Sequence, residues 1–164
     1  MNDIYQKAAF VLYYDQVAGF FVWMNVTSVR PHLRGKLAGS LYSDGYIYIR
    51  FEGKRLLAHR LAWVIATGNL PNCPIDHIDM NRANNSLFNL RLASVTENNR
   101  NRVKQSNNTS GYKGVTFHKG TGKYHAKICV NKQRISLGYF KSANEASLAY
   151  QQAAKEHHGE FARF

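Results

Sequence analysis

Apolar and polar positions alternate in the last third of the chain, and this pattern predicts three strands followed by a helix. Val115 and Phe117 share one face of the first predicted strand. The apolar face of the second strand consists of Tyr124, Ala126, Ile128 and Val130, and that of the third of Ile135, Leu137 and Tyr139. A period of two with one apolar face is typical of an antiparallel sheet that is buried on one side. Ser142 and Glu145 then form a capping box before an apolar stripe with helical spacing, so we expect a helix that covers that face.

The middle of the chain predicts a hairpin, a helix and then the order strand, loop, strand, helix. The hairpin runs from Leu41 to Leu57, where apolar and polar residues alternate between turns at Ser43-Asp44-Gly45 and Glu52-Gly53-Lys54. A helix from His59 to Thr67 is stopped by Gly68. Short strands at 75–79 and 89–93 enclose a polar loop, and a helix at 95–104 follows, with Ser94 or Thr96 as its N-cap.

The N-terminal pattern is less specific. Residues 4–14 fit a short helix or a strand, whereas Phe20–Trp23 is typical of a strand and residues 27–40 of a loop. Residues 104–111 contain no bulky apolar side chain, which predicts a linker. We therefore expect an α+β chain with a first domain at 1–103, whose core motif is 58–102, a linker at 104–110 and a second domain at 111–164.

The charge of the chain favours a polyanion as partner. Its 164 residues have a formal net charge of +12, of which residues 1–49 contribute +1, residues 50–110 +5 and residues 111–164 +6. Nucleic acid is the usual partner of such a field, although a basic surface can serve solubility alone. An anionic membrane is a weaker candidate, because the chain contains no basic amphipathic helix with a bulky apolar face.

The cysteines and the N-terminal residues predict that the protein is located in a reducing compartment. Cys73 and Cys129 lie 56 residues apart without a CxxC pair, so neither a cysteine-based zinc knuckle nor a disulfide framework is expected. The first residues form neither a leader peptide nor a transmembrane span. We expect a cytoplasmic protein.

An acid beside a histidine, followed by two asparagines, is the pattern with the most specific chemistry. Asp76 precedes His77, and Asn89 and Asn98 follow that histidine by 12 and 21 residues. Phosphodiester hydrolysis needs a base for water and a charge that stabilises phosphorus and the leaving 3′ oxygen. Magnesium prefers oxygen ligands such as a carboxylate and an amide oxygen, and histidine suits the base provided that its second nitrogen is held.

Residues 41–102 resemble the HNH endonucleases, also called ββα-metal nucleases, of the phage and homing type. The matching text is Ala58–Trp63, Ile75–Asp79, Asn84-Asn85, Asn89-Leu90-Arg91 and Glu97-Asn98-Asn99. The resemblance implies that Asp76 and Asn98 bind the metal, that His77 is the general base and that Asn89 orients the His77 ring. Asn98 stands where many members have the last histidine, so the chain is an H-N-N variant, for which magnesium is expected and manganese can substitute. His59 is interpreted as structural, and Arg60, Arg91, Arg100 and Arg102 as phosphate contacts.

Residues 111–164 resemble the Apetala-two/ethylene-response-factor DNA-binding domain. The matching text is Gly111–Val115, Gly122–Ile128, Leu137–Phe140 and Glu145–Tyr150. The resemblance implies a sheet that lies in the major groove with a helix packed behind it. By alternation and by this resemblance, the expected DNA contacts are Lys113, Thr116, His118, His125, Lys127, Arg134 and Ser136. Plant members have arginines at the positions of Thr116 and His118 and tryptophan at that of Ser136, so guanine recognition is reduced and a looser preference is expected.

These features together predict a metal-dependent endonuclease that nicks or cleaves double-stranded DNA, encoded by a phage or mobile element in a bacterial host. We expect it to act as a monomer or homodimer, to contain no structural zinc and not to associate with a membrane. The alternative is a catalytically inactive DNA-binding regulator on a nuclease fold; an RNA-binding protein lacks support, because aromatic ribonucleoprotein motifs are missing. Whether residues 1–40 contact DNA or complete the nuclease core stays open.

Overall fold

The structure is a computed structural model that describes residues 2–25, 31–100 and 108–164. The chain divides into two compact units, Met1–Ser94 and Val95–Phe164. Most of the predicted linker at 104–110 lies outside the described residues, and its role as the domain boundary stays a prediction. Within the described part of the chain, no helix is both long and apolar enough to cross a membrane.

Within its described residues, the first unit contains two α-helices, two short 3-10 helices and three small antiparallel sheets. Its elements are α1 (Asn2–Val11), β1 (Leu12–Tyr14), β2 (Phe21–Trp23), β3 (Leu37–Ala38), β4 (Ser40–Leu41), β5 (Ile47–Phe51), β6 (Lys54–Leu57), α2 (Ala58–Thr67), β7 (Ile75–His77) and β8 (Leu90–Leu92). The sheets have the orders β1-β2-β3, β4-β5-β6 and β7-β8. The hairpin at 41–57 is confirmed, and Gly68 ends α2 in the left-handed conformation with φ 76°.

Residues near the N-terminus complete the core of this unit. Ala8, Tyr14 and Phe21 are buried in one cluster with Ile49 of the hairpin and Leu61 of α2. The ambiguous segment at 4–14 is therefore both helix and strand, since α1 passes directly into β1. Residues of the 1–40 segment thus contribute to the core of the first unit.

The turn between β1 and β2 supports the loop that leads into β8. The Tyr14 hydroxyl donates to the Asn85 carbonyl over 2.7 Å, and Leu87 N donates to Gln16 O over 2.9 Å. Gly19 has φ 75°, and a Cβ there would lie 2.3 Å from Ser86 N. Only glycine lets the two backbones approach this closely.

The second unit contains a short helix, which the sequence assigns to the first domain, and the predicted three-stranded sheet with one packed helix. Its elements are α3 (Val95–Arg100), β9 (Val115–His118), β10 (Lys123–Val130), β11 (Gln133–Phe140) and α4 (Ala143–His158), and β10 is the central strand. Val115, Ala126 and Ala146 pack in one buried cluster, and Ile128, Tyr150 and Ala154 in another. The capping box of Ser142 and Glu145 is present. The α+β class of the whole chain is confirmed.

The prediction that Tyr139 shares the buried face with Ile135 and Leu137 is wrong. Lys127 pairs with Ser136 but Ala126 pairs with Gly138, so Leu137 is an extra residue in β11. Such a β-bulge reverses the alternation beyond it. Tyr139 therefore pairs with His125, and its side chain is 47% exposed.

Candidate active site

Asp76 and His77 lie on β7, which pairs with β8 in a two-stranded antiparallel sheet. Asp76 stands opposite Arg91, and His77 stands opposite Leu90. Both side chains are 5% exposed. Buried polar side chains of this kind need partners, because an isolated charge or imidazole inside a protein is costly.

Arg91 is the partner of Asp76. Its Nε and Nη2 donate to Asp76 Oδ2 over 3.0 and 2.8 Å, and the two side chains form an ion pair. Its guanidinium binds the acid across the strand pair, and the phosphate contact that the sequence predicts for Arg91 stays a prediction. Opposite charges that face each other on neighbouring strands stabilise the pairing, which accounts for this position.

Aromatic rings enclose the His77 imidazole. The centroid of Tyr46 lies 5.9 Å and that of His59 5.1 Å from the His77 ring. Burial lowers the pKa of His77 below its ordinary 6.5, and the Asn85 side chain and the carboxylates of Asp79 and Asp76 oppose this effect. A lowered pKa leaves the imidazole neutral at physiological pH, which is the form that can accept a proton.

His59, which lies in the first turn of α2, contributes a ring to this enclosure. It is 7% exposed, and burial together with His77 and Arg60 lowers its pKa to about 3. The side chain is therefore a neutral packing group against His77 and Tyr46. Its position is consistent with the structural interpretation.

Asn89 does not bind the His77 ring with its side chain, in contrast to the role that the sequence implies. Its Nδ2 donates to Asp79 Oδ1 and to Asn84 O, both over 2.9 Å, and its Oδ1 accepts from Asp79 N over 3.0 Å. The backbone of Asn89 also accepts from Ile78 N over 2.9 Å. Asn89 thus ties the end of the 78–89 loop to its beginning, directly after His77.

Asp79 is the centre of this loop. Burial raises its pKa, but hydrogen bonds from the Asn84 side chain, Asn81 N and the Asn89 side chain outweigh burial and lower the pKa below its usual value. The carboxylate therefore stays ionised and accepts all three bonds. Side-chain bonds of Asn and Asp to nearby backbone are the standard chemistry of tight loops.

Asn85, rather than Asn89, is the amide that acts on His77. Its side chain is 1% exposed, and its Nδ2 donates to Ala83 O over 3.1 Å. Its Oδ1 is buried and accepts no hydrogen bond within the described residues, and the nearby amide raises the pKa of His77, which favours the protonated ring. The sequence shows Asn84-Asn85 as part of the motif, but no spacing rule distinguishes Asn85 from the other loop asparagines.

The donor set fits a hard cation with few protein ligands. Asp76 provides a carboxylate, and among the described residues no three His, Cys, Asp or Glu side chains form a group that could hold a metal ion. One or two oxygen ligands suffice for magnesium, which retains several waters. Asn98, the second predicted ligand, lies on α3 in the second unit, and its approach to Asp76 stays a prediction.

The predicted phosphate contacts are distributed over both units. Arg60 lies on α2 and is half-buried. Arg100 is the last residue of α3, and Arg102 lies outside the described residues. Lys113 lies in the turn before β9, where burial and Arg163 lower its pKa to about 8.

The other predicted DNA contacts meet on one face of the β9–β11 sheet. His125 pairs with Thr116, Lys127 with Ser136, and Cys129 with Arg134. The bulge adds Tyr139, whose ring stacks on His125 at 4.5 Å and meets His118 at 5.4 Å. His125 Nε2 also lies 2.9 Å from Ser136 Oγ. This face is polar and partly aromatic, with Lys123, Lys127 and Arg134 among its cations.

The sequence interpretation missed two further residues beside His77. Arg82 places its guanidinium 4.8 Å from the Tyr46 ring and donates to Asp44 O over 2.8 Å. The sequence indicates only that Tyr46 belongs to the hairpin. The alternation of Tyr46 with Tyr48 and Arg50 places the three side chains on one face of the hairpin, but it does not reveal which helix or loop that face contacts.

Comparison with known proteins identifies the same region. The model of the HNH endonuclease family designated HNH_3 matches residues 56–100. Protein 3.8 of Escherichia phage T7 is 35% identical over 107 residues, which cover 65% of this chain and 88% of that protein. The uncharacterized HNH endonuclease L560 of Acanthamoeba polyphaga mimivirus is 31% identical over 123 residues, which cover 74% of this chain and 63% of that protein.

A solved structure of the HNH homing endonuclease I-HmuI, from work on its DNA binding and cleavage, is also similar. It has a TM-score of 0.40 and 24% identity, and the match covers 55% of this chain and 50% of that one. The family match includes β7, the loop that follows it and β8, where Asp76, His77, Asn85 and Asn89 lie. The chain therefore contains an HNH endonuclease domain at residues 56–100.

Proposed function

We propose that the protein is a metal-dependent DNA endonuclease of the phage or homing type that nicks or cleaves double-stranded DNA. The observation that supports this most directly is the buried His77, whose lowered pKa keeps a proton acceptor next to the carboxylate of Asp76. This pair lies inside the segment that matches the HNH endonuclease family.

His77 would take a proton from the attacking water. The water oxygen forms a bond to phosphorus, and the bond from phosphorus to the 3′ oxygen breaks. The leaving 3′ oxygen takes a proton from a solvent water, so that the products are a 5′ phosphate and a 3′ hydroxyl. When bound, a divalent cation would neutralise the charge on phosphorus and stabilise the leaving oxygen. We propose Asp76 and Asn98 as its ligands, magnesium as the ion with manganese as substitute, and the 78–89 loop as the support that fixes His77.

The second unit would hold the DNA. The net charge of +6 on residues 111–164 and the shared face of Lys127, Arg134 and His125 support this assignment. Contacts to phosphate give affinity that does not depend on sequence, whereas side chains at base edges give preference. We propose that this unit is an Apetala-two/ethylene-response-factor-like module and that the enzyme works as a monomer or homodimer.

Relaxation of a supercoiled plasmid tests the function. The unaltered chain should nick the plasmid in magnesium and stop nicking when EDTA is added. His77→Ala should lower the rate by about a hundredfold or more, because a positioned base contributes at least this factor. His157→Ala, an exposed histidine on α4, is the matched control and should keep the full rate. If the unaltered chain nicks no plasmid in magnesium or manganese, the proposal is wrong and a DNA-binding regulator is the better reading.

A further inference from the structure

We propose that the solvent face of the β4–β6 sheet is a second DNA-binding surface, which holds the phosphate backbone beside the His77 site. The surface consists of Tyr42, Tyr46, Tyr48, Arg50 and Arg55, and we call it the arginine–tyrosine face. This inference rests on the proposed function, since it assigns part of the DNA path to the first unit.

The register of the hairpin places the arginines together. Arg50 on β5 stands directly opposite Arg55 on β6. The neighbouring pair, Ile49 with Leu56, points the other way into the core and is almost completely buried. Because side chains alternate between the faces of a strand, both guanidinium groups lie on the solvent side.

This arrangement leaves positive charge without an acid to neutralise it. Like charges directly opposite each other destabilise a strand pair. Within the described residues, neither Arg50 nor Arg55 forms an ion pair. The acid at the end of this face is Asp44, and its oxygens accept from Tyr46 N and the Tyr48 hydroxyl. An arginine pair that destabilises the hairpin and faces solvent is suited to bind a polyanion.

Tyrosine rings hold one of the two guanidinium groups in place. The Arg55 guanidinium lies 5.4 Å from the Tyr42 ring centre and 6.0 Å from that of Tyr48, and these rings meet edge to face at 4.9 Å. A guanidinium over an aromatic face keeps its N–H groups available at the edge. Its planar fork matches the two oxygens of a phosphate, which favours the DNA backbone as the bound group.

The face begins at the candidate active site. Tyr46 contacts the His77 ring at 5.9 Å, and the Arg82 guanidinium lies over Tyr46 at 4.8 Å. Tyr46, Tyr48 and Arg50 point to the same side by alternation. Four extended residues place Arg50 about 13 Å beyond Tyr46, which is about four base-pair steps of duplex at about 3.4 Å each. DNA with its scissile phosphate at His77 would thus meet Arg50 and Arg55 a few nucleotides away.

A comparison of substitutions that remove charge from the two faces of one hairpin tests the proposal. Arg50→Gln/Arg55→Gln removes both guanidinium groups, whereas Lys54→Gln removes one charge from the neighbouring position, which pairs with Phe51 on the other face. Binding of a fluorescein-labelled 30-base-pair duplex would be measured by anisotropy between about 50 and 300 mM NaCl, a range in which phosphate contacts dominate. All proteins would also have His77→Ala, so that the duplex stays intact.

The double variant should weaken binding at least tenfold at the lower salt and reduce the slope of log K against log salt by about 2, since each phosphate contact contributes about 0.9. Lys54→Gln should change the slope by less than about 0.5 by the same rule. Arg50→Lys/Arg55→Lys keeps the charge and should retain most of the slope. This variant also decides the matter if the glutamine variant does not fold. Lysines keep the charge but lack the planar fork, so the affinity of the lysine variant should fall below that of Lys54→Gln, and an affinity equal to that of Lys54→Gln would contradict the proposal.

Three results overturn the assignment in distinguishable ways. If the unaltered chain binds and nicks DNA but the glutamine double variant behaves like Lys54→Gln, this surface is not a DNA contact, and the proposed function stands. If the loss is found for duplex RNA of the same length but not for DNA, the partner is wrong. If the unaltered chain neither binds nor nicks DNA, the proposed function fails and this surface fails with it.

Discussion

His77 has the surroundings that a base needs at neutral pH. Burial lowers its pKa, so the ring is unprotonated and can accept a proton from water. Tyr46 and His59 fix the plane of the ring, and Asn85 supplies a polar contact inside this aromatic enclosure. Orientation and protonation of one histidine therefore depend on residues from the hairpin, α2 and the 78–89 loop.

Asn85→Ala should lower the cleavage rate without changing DNA affinity, because it removes an amide from His77 and no contact to DNA. We expect a fall of about 10- to 100-fold in the single-turnover rate at saturating plasmid, as for other groups that support an active-site histidine.

The matched control is Asn84→Ala, which removes the neighbouring amide from Asp79 Oδ2 rather than from His77. It should have a clearly smaller effect on the rate. Equal losses for the two variants would show that loop geometry, and not the contact to His77, determines the rate.

Acid should destabilise the first unit through His59. Its pKa is about 3 in the folded chain, against 6.5 for an ordinary histidine, so the unfolded chain binds the extra proton between these values. Stability is thus fully present above pH 6.5 and is lost as the pH falls toward 3, by at most about 1.4 kcal/mol per pH unit.

Urea unfolding followed by tryptophan fluorescence between pH 7 and 4.5 measures this slope, because both tryptophans, Trp23 and Trp63, belong to the first unit. His59→Gln cannot take up the proton and should flatten the profile, whereas His157→Gln on α4 should leave it unchanged. An unaltered slope in His59→Gln would assign the acid sensitivity to other groups.

At the scale of elements, alternation and turn chemistry predict the sheets, but they do not predict local irregularities of the backbone. The hairpin at 41–57, the β9–β11 sheet and the capped helix α4 follow from periodicities that depend only on neighbouring residues. The bulge at Leu137 depends on pairing with β10, so the exposed position of Tyr139 could not be read from β11 alone. The same limit applies to the site, where Asp76 and His77 were evident but the packing of Tyr46 and Asn85 against His77 was not.

Gly114 is required for the packing of α4 on the sheet. It has φ 74°, and a Cβ there would lie 2.1 Å from the Tyr150 ring. Gly114→Ala should therefore destabilise the second unit by about 3 kcal/mol, the sum of an unfavourable φ and a steric overlap. Gly111 has φ 84° with nothing within 4 Å of a Cβ, so Gly111→Ala should cost only about 1 kcal/mol. Thermal unfolding by calorimetry compares the two, and equal losses would mean that the contact with Tyr150 is not tight.

At the scale of the whole molecule, the candidate active site and much of the positive charge lie in different parts of the chain. The His77 site belongs to the first unit, whereas residues 111–164 hold half of the net charge of +12. In the proposed enzyme, the second unit raises the concentration of DNA at the first without taking part in the bond cleavage. Affinity and catalytic rate should consequently respond to different substitutions.

Lys127→Gln/Arg134→Gln should separate these two properties. The two side chains share the exposed face of the β9–β11 sheet, so their loss should remove about two phosphate contacts and reduce the salt slope of DNA binding by about 2. The half-saturating protein concentration for plasmid cleavage should rise about tenfold or more at 100 mM salt, while the rate at saturation stays the same, because uniform binding is lost and the chemical step is not. Lys155→Gln on α4 changes the charge of the same unit away from the sheet face and should have little effect on either quantity. A lower saturating rate in the double variant would mean that the second unit also positions DNA for the chemical step, and an unchanged half-saturation would remove the sheet face from the DNA path.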